Sequence, residues 1–173
     1  MLIETRRLVL RELTEADRPS LRTILQDAET MAAYEGPFSD AEVDEWLGRM
    51  LDRYANDGVG LWAVVLREAG ELIGLCGLTR QDLPDESVIE VGYLFNRAHW
   101  HRGYATEAAA ACRDYAFGEL GAERVYAIVR DTNLTSMNVA IRLGMTVRTR
   151  FTKHYRSTDM PHLAFAVDRA PTR

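Results

Sequence analysis

Trp100-His101-Arg102-Gly103-Tyr104-Ala105-Thr106-Glu107 joins two kinds of hydrophobic periodicity. Before it, Val88-Ile89-Glu90-Val91-Gly92-Tyr93-Leu94-Phe95 reads as a strand. After it, Ala105, Ala108, Ala109, Cys112, Tyr115 and Ala116 recur on one side of a helix, with Arg113, Asp114 and Glu119 on the other. The octapeptide is therefore a strand-to-helix connection in which Gly103 and Ala105 leave the backbone uncovered. A helix N-terminus offers unpaired amides and the positive end of the macrodipole, so it can hold a diphosphate, with Arg102 adding a charge-assisted contact. On the residues alone, the same stretch reads equally as a structural helix start with an exposed arginine. The chain has no G-x-G-x-x-G and no G-x-x-x-x-G-K-[ST], so dinucleotide and P-loop readings lack their defining glycines.

Working outward, Leu61-Trp62-Ala63-Val64-Val65-Leu66 and Leu72-Ile73-Gly74-Leu75-Cys76-Gly77-Leu78 flank Glu68-Ala69-Gly70 as a hairpin. With the strand at 88–95, beyond a polar loop from Gln81 to Ser87, they make an antiparallel meander. Gly74, Gly77 and Gly92 weaken these strands unless something approaches the backbone or a bulge is needed. Arg6 to Arg11 alternates with period two and predicts a first strand. Thr14 with Asp17 approximates a capping box ahead of Leu21, Ile24, Leu25 and Ala28. Ser39-Asp40-Ala41-Glu42 matches that box fully and heads a helix ended by Asn56-Asp57-Gly58. The apolar face of this second helix, Val43, Trp46, Leu47, Met50, Leu51 and Tyr54, is expected to pack on a sheet, a ligand-lining face being the alternative. Val125 to Val129 predicts a buried strand, and Thr135 to Leu143 a helix closed by Gly144. Two further strands, Thr146 to Arg156 and His162 to Asp168, are joined by Ser157 to Pro161. The order predicts one α+β domain over residues 1–173 with a mixed sheet, not a doubly wound one.

Composition agrees with one globular domain: 173 residues, of which 47% are hydrophobic, are enough for a sizeable core. A net charge of -5 gives no electrostatic support for nucleic acid or an anionic membrane, so an anionic ligand needs a local site. Cys76 and Cys112 form neither a CxxC pair nor a metal-ligand spacing, which suits a reducing compartment. No signal peptide and no run of about 18 apolar residues is present, so a cytoplasmic location is expected. His99, His101, His154 and His162 lack helical i,i+4 spacing and carboxylate companions, and no metal is expected.

Trp100 to Ala108, W-H-R-G-Y-A-T-E-A, resembles the acetyl-CoA pyrophosphate loop of GNAT acetyltransferases of the RimJ/RimL kind. Glu90-Val91-Gly92-Tyr93 resembles that family's E-[IV]-G-Y strand. Asn133-Leu134-Thr135-Ser136 through Leu143-Gly144-Met145 resembles its N-x-x-S...L-G-[FM] segment, and Arg7-Leu8-Val9-Leu10-Arg11 with Ala16-Asp17 its opening. The similarity spans nearly the whole chain. His101, where glycine is more common, and Trp100, which is Gln or Arg in other branches, depart from the pattern without removing the amides.

The resemblance implies the GNAT fold, an α/β/α sandwich around a splayed, mostly antiparallel sheet, and acetyl-CoA as cofactor. It implies that backbone groups of Tyr93, Leu94 and Phe95 pair with the pantetheine arm like an added strand. Amides from Arg102, Gly103, Tyr104, Ala105 and Thr106 would hold the diphosphate. Asn133 would bond the pantetheine amide region, its structural alternative being a helix N-cap. A strand amide near Leu94 would polarise the thioester carbonyl. Ser136 would serve the departing thiolate, the tyrosine position of other family members being occupied here by Ala140. For the general base, Glu90 and Glu107 are the candidates, with strand-face bonding and helix-dipole stabilisation as their structural alternatives. No carboxylate occurs in Lys153-His154-Tyr155-Arg156. The basic positions Arg148, Arg150, Lys153 and Arg156 would contact an acidic substrate or the cofactor phosphate, or form a solvated face. The acceptor is expected to be a primary amine, either a protein N-terminus or a small molecule. Its selection is expected from the N-terminal helices, Met31 to Pro37 and Ser157 to Pro161, and the resemblance is compatible with a homodimer. The alternative function is a non-catalytic acyl-CoA-binding module.

Overall fold

The computed structural model describes residues 2–34, 36–84, 86–155 and 158–171. Its strands are β1 (Leu2–Glu4), β2 (Leu8–Arg11), β3 (Leu61–Leu66), β4 (Leu72–Asp82), β5 (Ser87–Phe95), β6 (Arg124–Arg130), β7 (Thr146–Tyr155) and β8 (Thr158–Asp168). Its helices are α1 (Arg18–Leu25), α2 (Asp40–Asp57), α3 (Tyr104–Gly118) and α4 (Leu134–Arg142). The strands form one mixed sheet in the order β1-β2-β3-β4-β5-β6-β8-β7.

Helices cover the sheet on both faces. The capping box of α2 forms as its sequence dictates: Glu42 accepts the Ser39 amide at 2.7 Å, and Ser39 Oγ accepts the Glu42 amide at 3.3 Å. Val43, Leu47 and Met50 then bury against Ala63 and Leu75, together with Leu21 and Leu25 of α1. On the other face α3 buries Ala108, Ala109, Cys112 and Ala116, small side chains that let the helix axis approach β4 and β5 closely. Trp62 fills the space beside Tyr115, edge-on at 5.6 Å between ring centroids. At roughly 25 cal/mol per Å² of buried apolar surface, these two cores supply most of the folding free energy. Cys76 and Cys112 meet inside the second one as free thiols, Sγ to Sγ 3.6 Å.

Every neighbouring pair of strands is antiparallel except β5 and β6, which are parallel and share one ladder position, Glu90 opposite Tyr126. Beyond it they splay. The meander glycine Gly77 has a concrete cause: a Cβ there would lie 2.0 Å from the Gly60 carbonyl oxygen, which instead accepts the Leu78 amide at 3.1 Å.

Three local expectations change. The first strand begins at Leu8, because Thr5 to Arg7 turn the chain (the Thr5 amide donates to the Leu8 carbonyl at 2.9 Å) and β1 adds an edge strand before it. Thr5, Arg6 and Arg7 are all polar, so an alternation read from Arg6 does not mark the turn. Helix α1 ends at Leu25, so Ala28 lies outside it. The connector expected from Ser157 to Pro161 is strand from Thr158 on, with Pro161 opposite Thr152. Pro161 is tolerated because β6 ends opposite His162, leaving β7 as its sole ladder neighbour. Arg156 and Ser157 lie outside the described residues.

Candidate active site

Strand β5 supplies an open backbone edge. The Asn96 amide donates to the Ile73 carbonyl at 2.9 Å, so antiparallel alternation turns the amides and carbonyls of Leu94 and Gly92 toward β4 and those of Tyr93 and Phe95 toward the splay. Leu94 therefore contributes its side chain, packed under α1 and α2, while the open backbone near it belongs to Tyr93 and Phe95. The Phe95 carbonyl already accepts Trp100 Nε1 at 2.7 Å, which anchors the start of the following loop.

That loop then runs through two left-handed residues, His101 at φ 61° and Gly103 at φ 77°. The first is the position where the family more commonly has glycine, and the conformation supplies the reason. The first backbone bond into α3 is Glu107 N–H to the Gly103 carbonyl at 3.1 Å. Among the described residues, the amides of Arg102, Gly103, Tyr104, Ala105 and Thr106 donate to no protein acceptor. Five such donors at the positive end of a 15-residue helix are of a kind that can bind an anion.

Glu107 lies one turn into α3 and is committed elsewhere. It accepts from Thr5 Oγ1 at 2.7 Å, the Arg7 amide at 2.8 Å and Arg7 Nε at 2.6 Å. Partial burial alone would raise its pKa, but the Thr5 and Arg7 donors together hold the carboxyl below the usual range. It is a clasp between the β1–β2 turn and α3. Arg7 extends the clasp by donating to the Arg102 carbonyl at 3.0 Å and lying 4.4 Å above the Tyr104 ring.

Across the splay, Asn133 caps α4: its Oδ1 accepts the Ser136 amide at 3.1 Å, so the N-cap role is real and its amide nitrogen is left for other partners. Ser136 Oγ donates to the Tyr93 phenol oxygen at 3.1 Å, and that phenol donates to the Ser136 carbonyl at 2.8 Å. Burial pushes the Tyr93 pKa well up, keeping it a phenol. Ala140 is fully buried in the core. A tyrosine hydroxyl reaches Ser136 from β5. Strand alternation already put the Tyr93 side chain on the face of Val91 and Phe95, but nothing in the sequence paired it with Ser136.

Glu90 stands at the fork, on the opposite face of β5. Its Oε1 accepts the Ile128 amide at 3.3 Å and its Oε2 accepts Thr79 Oγ1 at 3.3 Å. In a continued parallel ladder the Ile128 amide would bond β5 backbone, so the carboxylate replaces the next rung. Burial raises the Glu90 pKa, and Lys153, the Ile128 amide, Thr79 and Arg53 offset that only in part.

Other expected positions disperse. Arg148 pairs with Asp168 at 2.9 Å and Arg150 with Asp131 at 3.0 Å, while Arg156 lies outside the described residues. His99 lies 3.1 Å from Glu71, and His162 Nδ1 faces the Met160 carbonyl at 2.7 Å. No group of three His, Cys, Asp or Glu able to hold a metal occurs among the described residues, and no helix there is long and apolar enough to cross a membrane. In the segment expected to select acceptors, Met31 is buried and Tyr34 is 47% exposed; Glu35 lies outside the described residues.

Residues 7–146 match the family model described as "Acetyltransferase (GNAT) domain". The chain is 35% identical over 142 residues to "Uncharacterized protein YkkB" of Bacillus subtilis (strain 168), covering 82% of this chain and 83% of that one. It is 29% identical over 146 residues to the "Uncharacterized N-acetyltransferase YnaD" of the same organism, covering 84% and 82%. Among solved structures, an acetyltransferase from Agrobacterium tumefaciens str. C58 superposes with a TM-score of 0.80 at 31% identity, over 98% and 95% of the two chains. RimL, the ribosomal L7/L12 alpha-N-protein acetyltransferase in complex with coenzyme A, gives 0.82 at 15% identity over 97% and 98%, a likeness of fold alone.

Proposed function

Starting from the chain's membership of the GNAT acetyltransferase family, we propose that it moves the acetyl group of acetyl-CoA directly to a primary amine within a ternary complex. The family fixes acyl transfer from an acyl-CoA as the reaction class; the acetyl group and the amine are this reading's additions. The observation that carries it is the set of five amides from Arg102 to Thr106 without protein acceptors, directly beyond the open edge of β5.

The residues divide the work by position. The loop amides, with Arg102, hold the diphosphate, and the Tyr93 and Phe95 backbone pairs the pantetheine arm as an extra strand. The Asn133 amide nitrogen bonds the same arm from α4. When bound, acetyl-CoA supplies an activated thioester. A β5 amide facing the splay polarises its carbonyl, an effect worth about 3 kcal/mol where such donors have been removed in other enzymes. Ser136 gives a proton to the departing sulfur and recovers one from water, and Tyr93 positions Ser136. Glu90 takes the proton of the incoming amine from the other face of the sheet, its raised pKa bringing it nearer the working pH. No residue forms a covalent bond to the acyl group.

The acceptor is a protein N-terminal amine, as the RimJ/RimL resemblance suggests, or a small molecule; fold does not choose between them. The test is thiol release from acetyl-CoA across a panel of amines and N-terminal peptides. Amine-dependent thiol release is expected. Tight cofactor binding with no release for any amine would leave the acyl-CoA-binding module standing in its place.

A further inference from the structure

The helices α1 and α2 cover β3 and β4, but among the described residues the same face of β6, β8 and β7 carries no helix. Its accessible surface is apolar: Ile128 and Phe151 are half-buried there, over the buried Tyr126, Ala164, Ala166, Leu83 and Val88. Glu90 lies at the inner end of this groove, on the Ile128 amide. Two cations flank it from separate elements. Lys153 lies two residues from Phe151 on β7, hence on the same face, opposite the buried Met160. Arg53 leaves α2 beside Gly60, its Cβ 3.7 Å from where a Gly60 Cβ would be, and Gly60 crosses Gly77, one same-face pair from Thr79 and Glu90.

Both side chains are half-buried, and among the described residues neither has a hydrogen bond or an ion pair. Their neighbours on β7 differ: Arg148, Arg150 and His154 each face an aspartate, the last at 2.5 Å from Asp159. Glu90 cannot neutralise both cations, since it is one carboxyl group already accepting from Ile128 and Thr79. Their nitrogens reach solvent while their stems are half-buried, so two cations beside one carboxyl group leave positive charge that an approaching anion can meet. The apolar floor, carboxyl group and paired cations together describe a molecule with an amine at one end, a short apolar stem and an anion at the other.

We propose that the groove takes an amine acceptor that also carries a carboxylate, the carboxylate lying between Arg53 and Lys153 and the amine at Glu90. This inference rests on the acetyl-transfer reading above. Two sources supply that chemistry: a free amino acid, or a peptide whose N-terminal amine is followed by an acidic residue.

The experiment measures thiol release from acetyl-CoA with matched acceptors: amino acids against their carboxamides, and peptides with Asp at the second position against the same peptides with Asn. In at least one of the two series the acid should exceed its amide in kcat/KM by about tenfold or more, and which series does so identifies the source. Lys153→Met and Arg53→Met keep the apolar stems and remove the charge. Each should raise KM for the acid about tenfold more than KM for the amide, measured at a pH above the Glu90 titration so that the change in its pKa reaches neither. Equal rates for acid and amide in both series, absence of thiol release from every acid, or variants that slow acid and amide alike would overturn the inference. Turnover of amides alone would do so while leaving acetyl transfer intact. Failure to bind CoA by calorimetry would remove the acetyl-transfer reading itself.

Discussion

Tyr93 and Ser136, 43 positions apart, are joined by two hydrogen bonds that close a ring: phenol to Ser136 carbonyl at 2.8 Å, and Ser136 hydroxyl to phenol at 3.1 Å. The pair bridges β5 and α4 across the point where the sheet opens. A hydroxyl there is held by one neighbour through its backbone and its side chain together, which fixes the rotamer that a proton donor needs.

Ser136→Ala should lower kcat by about 10²-fold with CoA affinity nearly unchanged, the range expected for a lost general acid. Tyr93→Phe, which keeps Ser136 but frees it, should lower kcat by about tenfold and stability by about 1 kcal/mol, a fall in Tm of roughly 3 °C for a chain of this size. Steady-state kinetics with calorimetric CoA titration checks both; wild-type turnover in Ser136→Ala removes serine from the chemistry.

Gly103 combines a left-handed backbone with an uncovered cradle. Gly103→Phe should weaken CoA binding at least tenfold, by strain at φ 77° and by covering the amides. His101→Gly, which relieves the same strain two residues earlier, should raise Tm by about 2 °C and leave CoA affinity within about twofold. Unchanged affinity in Gly103→Phe would contradict the loop's role.

For Glu90 the sign follows from burial. Its folded pKa lies above that of an ordinary glutamate, so ionising it opposes folding: that cost is absent below the unfolded pKa and grows as pH rises through the folded one. Glu90→Gln should therefore gain Tm relative to wild type as pH increases across that window. It should also lose the acidic limb of the kcat/KM profile and about 10²-fold in rate. Parallel Tm curves, or an unchanged limb, would assign the limb to another group.

Glu107 runs the other way. With its pKa held below 4.5 by Thr5 and Arg7, its stabilisation is present above the unfolded pKa and is lost as pH falls toward the folded one. Glu107→Ala should cost about 2 kcal/mol at neutral pH, less near pH 3, and weaken CoA binding indirectly by loosening the loop that Arg7 holds. Thermal melts at the two pH values test this, equal losses at both counting against the clasp.

What the sequence determined by itself was local and periodic. Alternation gave the meander, three-and-four spacing gave α2 and α3, Ser39 with Glu42 gave a helix start, and Gly103 gave the entry to α3, because each depends on residues a few positions apart. The same reading could not start that strand at Leu8 or find β1, since the contacts that hold the Thr5–Arg7 turn include Glu107, 100 and more positions away. Tertiary structure decided what the functional side chains do. Glu107 became a clasp through partners 100 and 102 residues away, Glu90 a fork residue through one 38 away, and Tyr93 a support for Ser136. Charge and hydrogen bonding act through space, and which distant groups share that space is set only when the sheet orders its strands and then splays between β5 and β6.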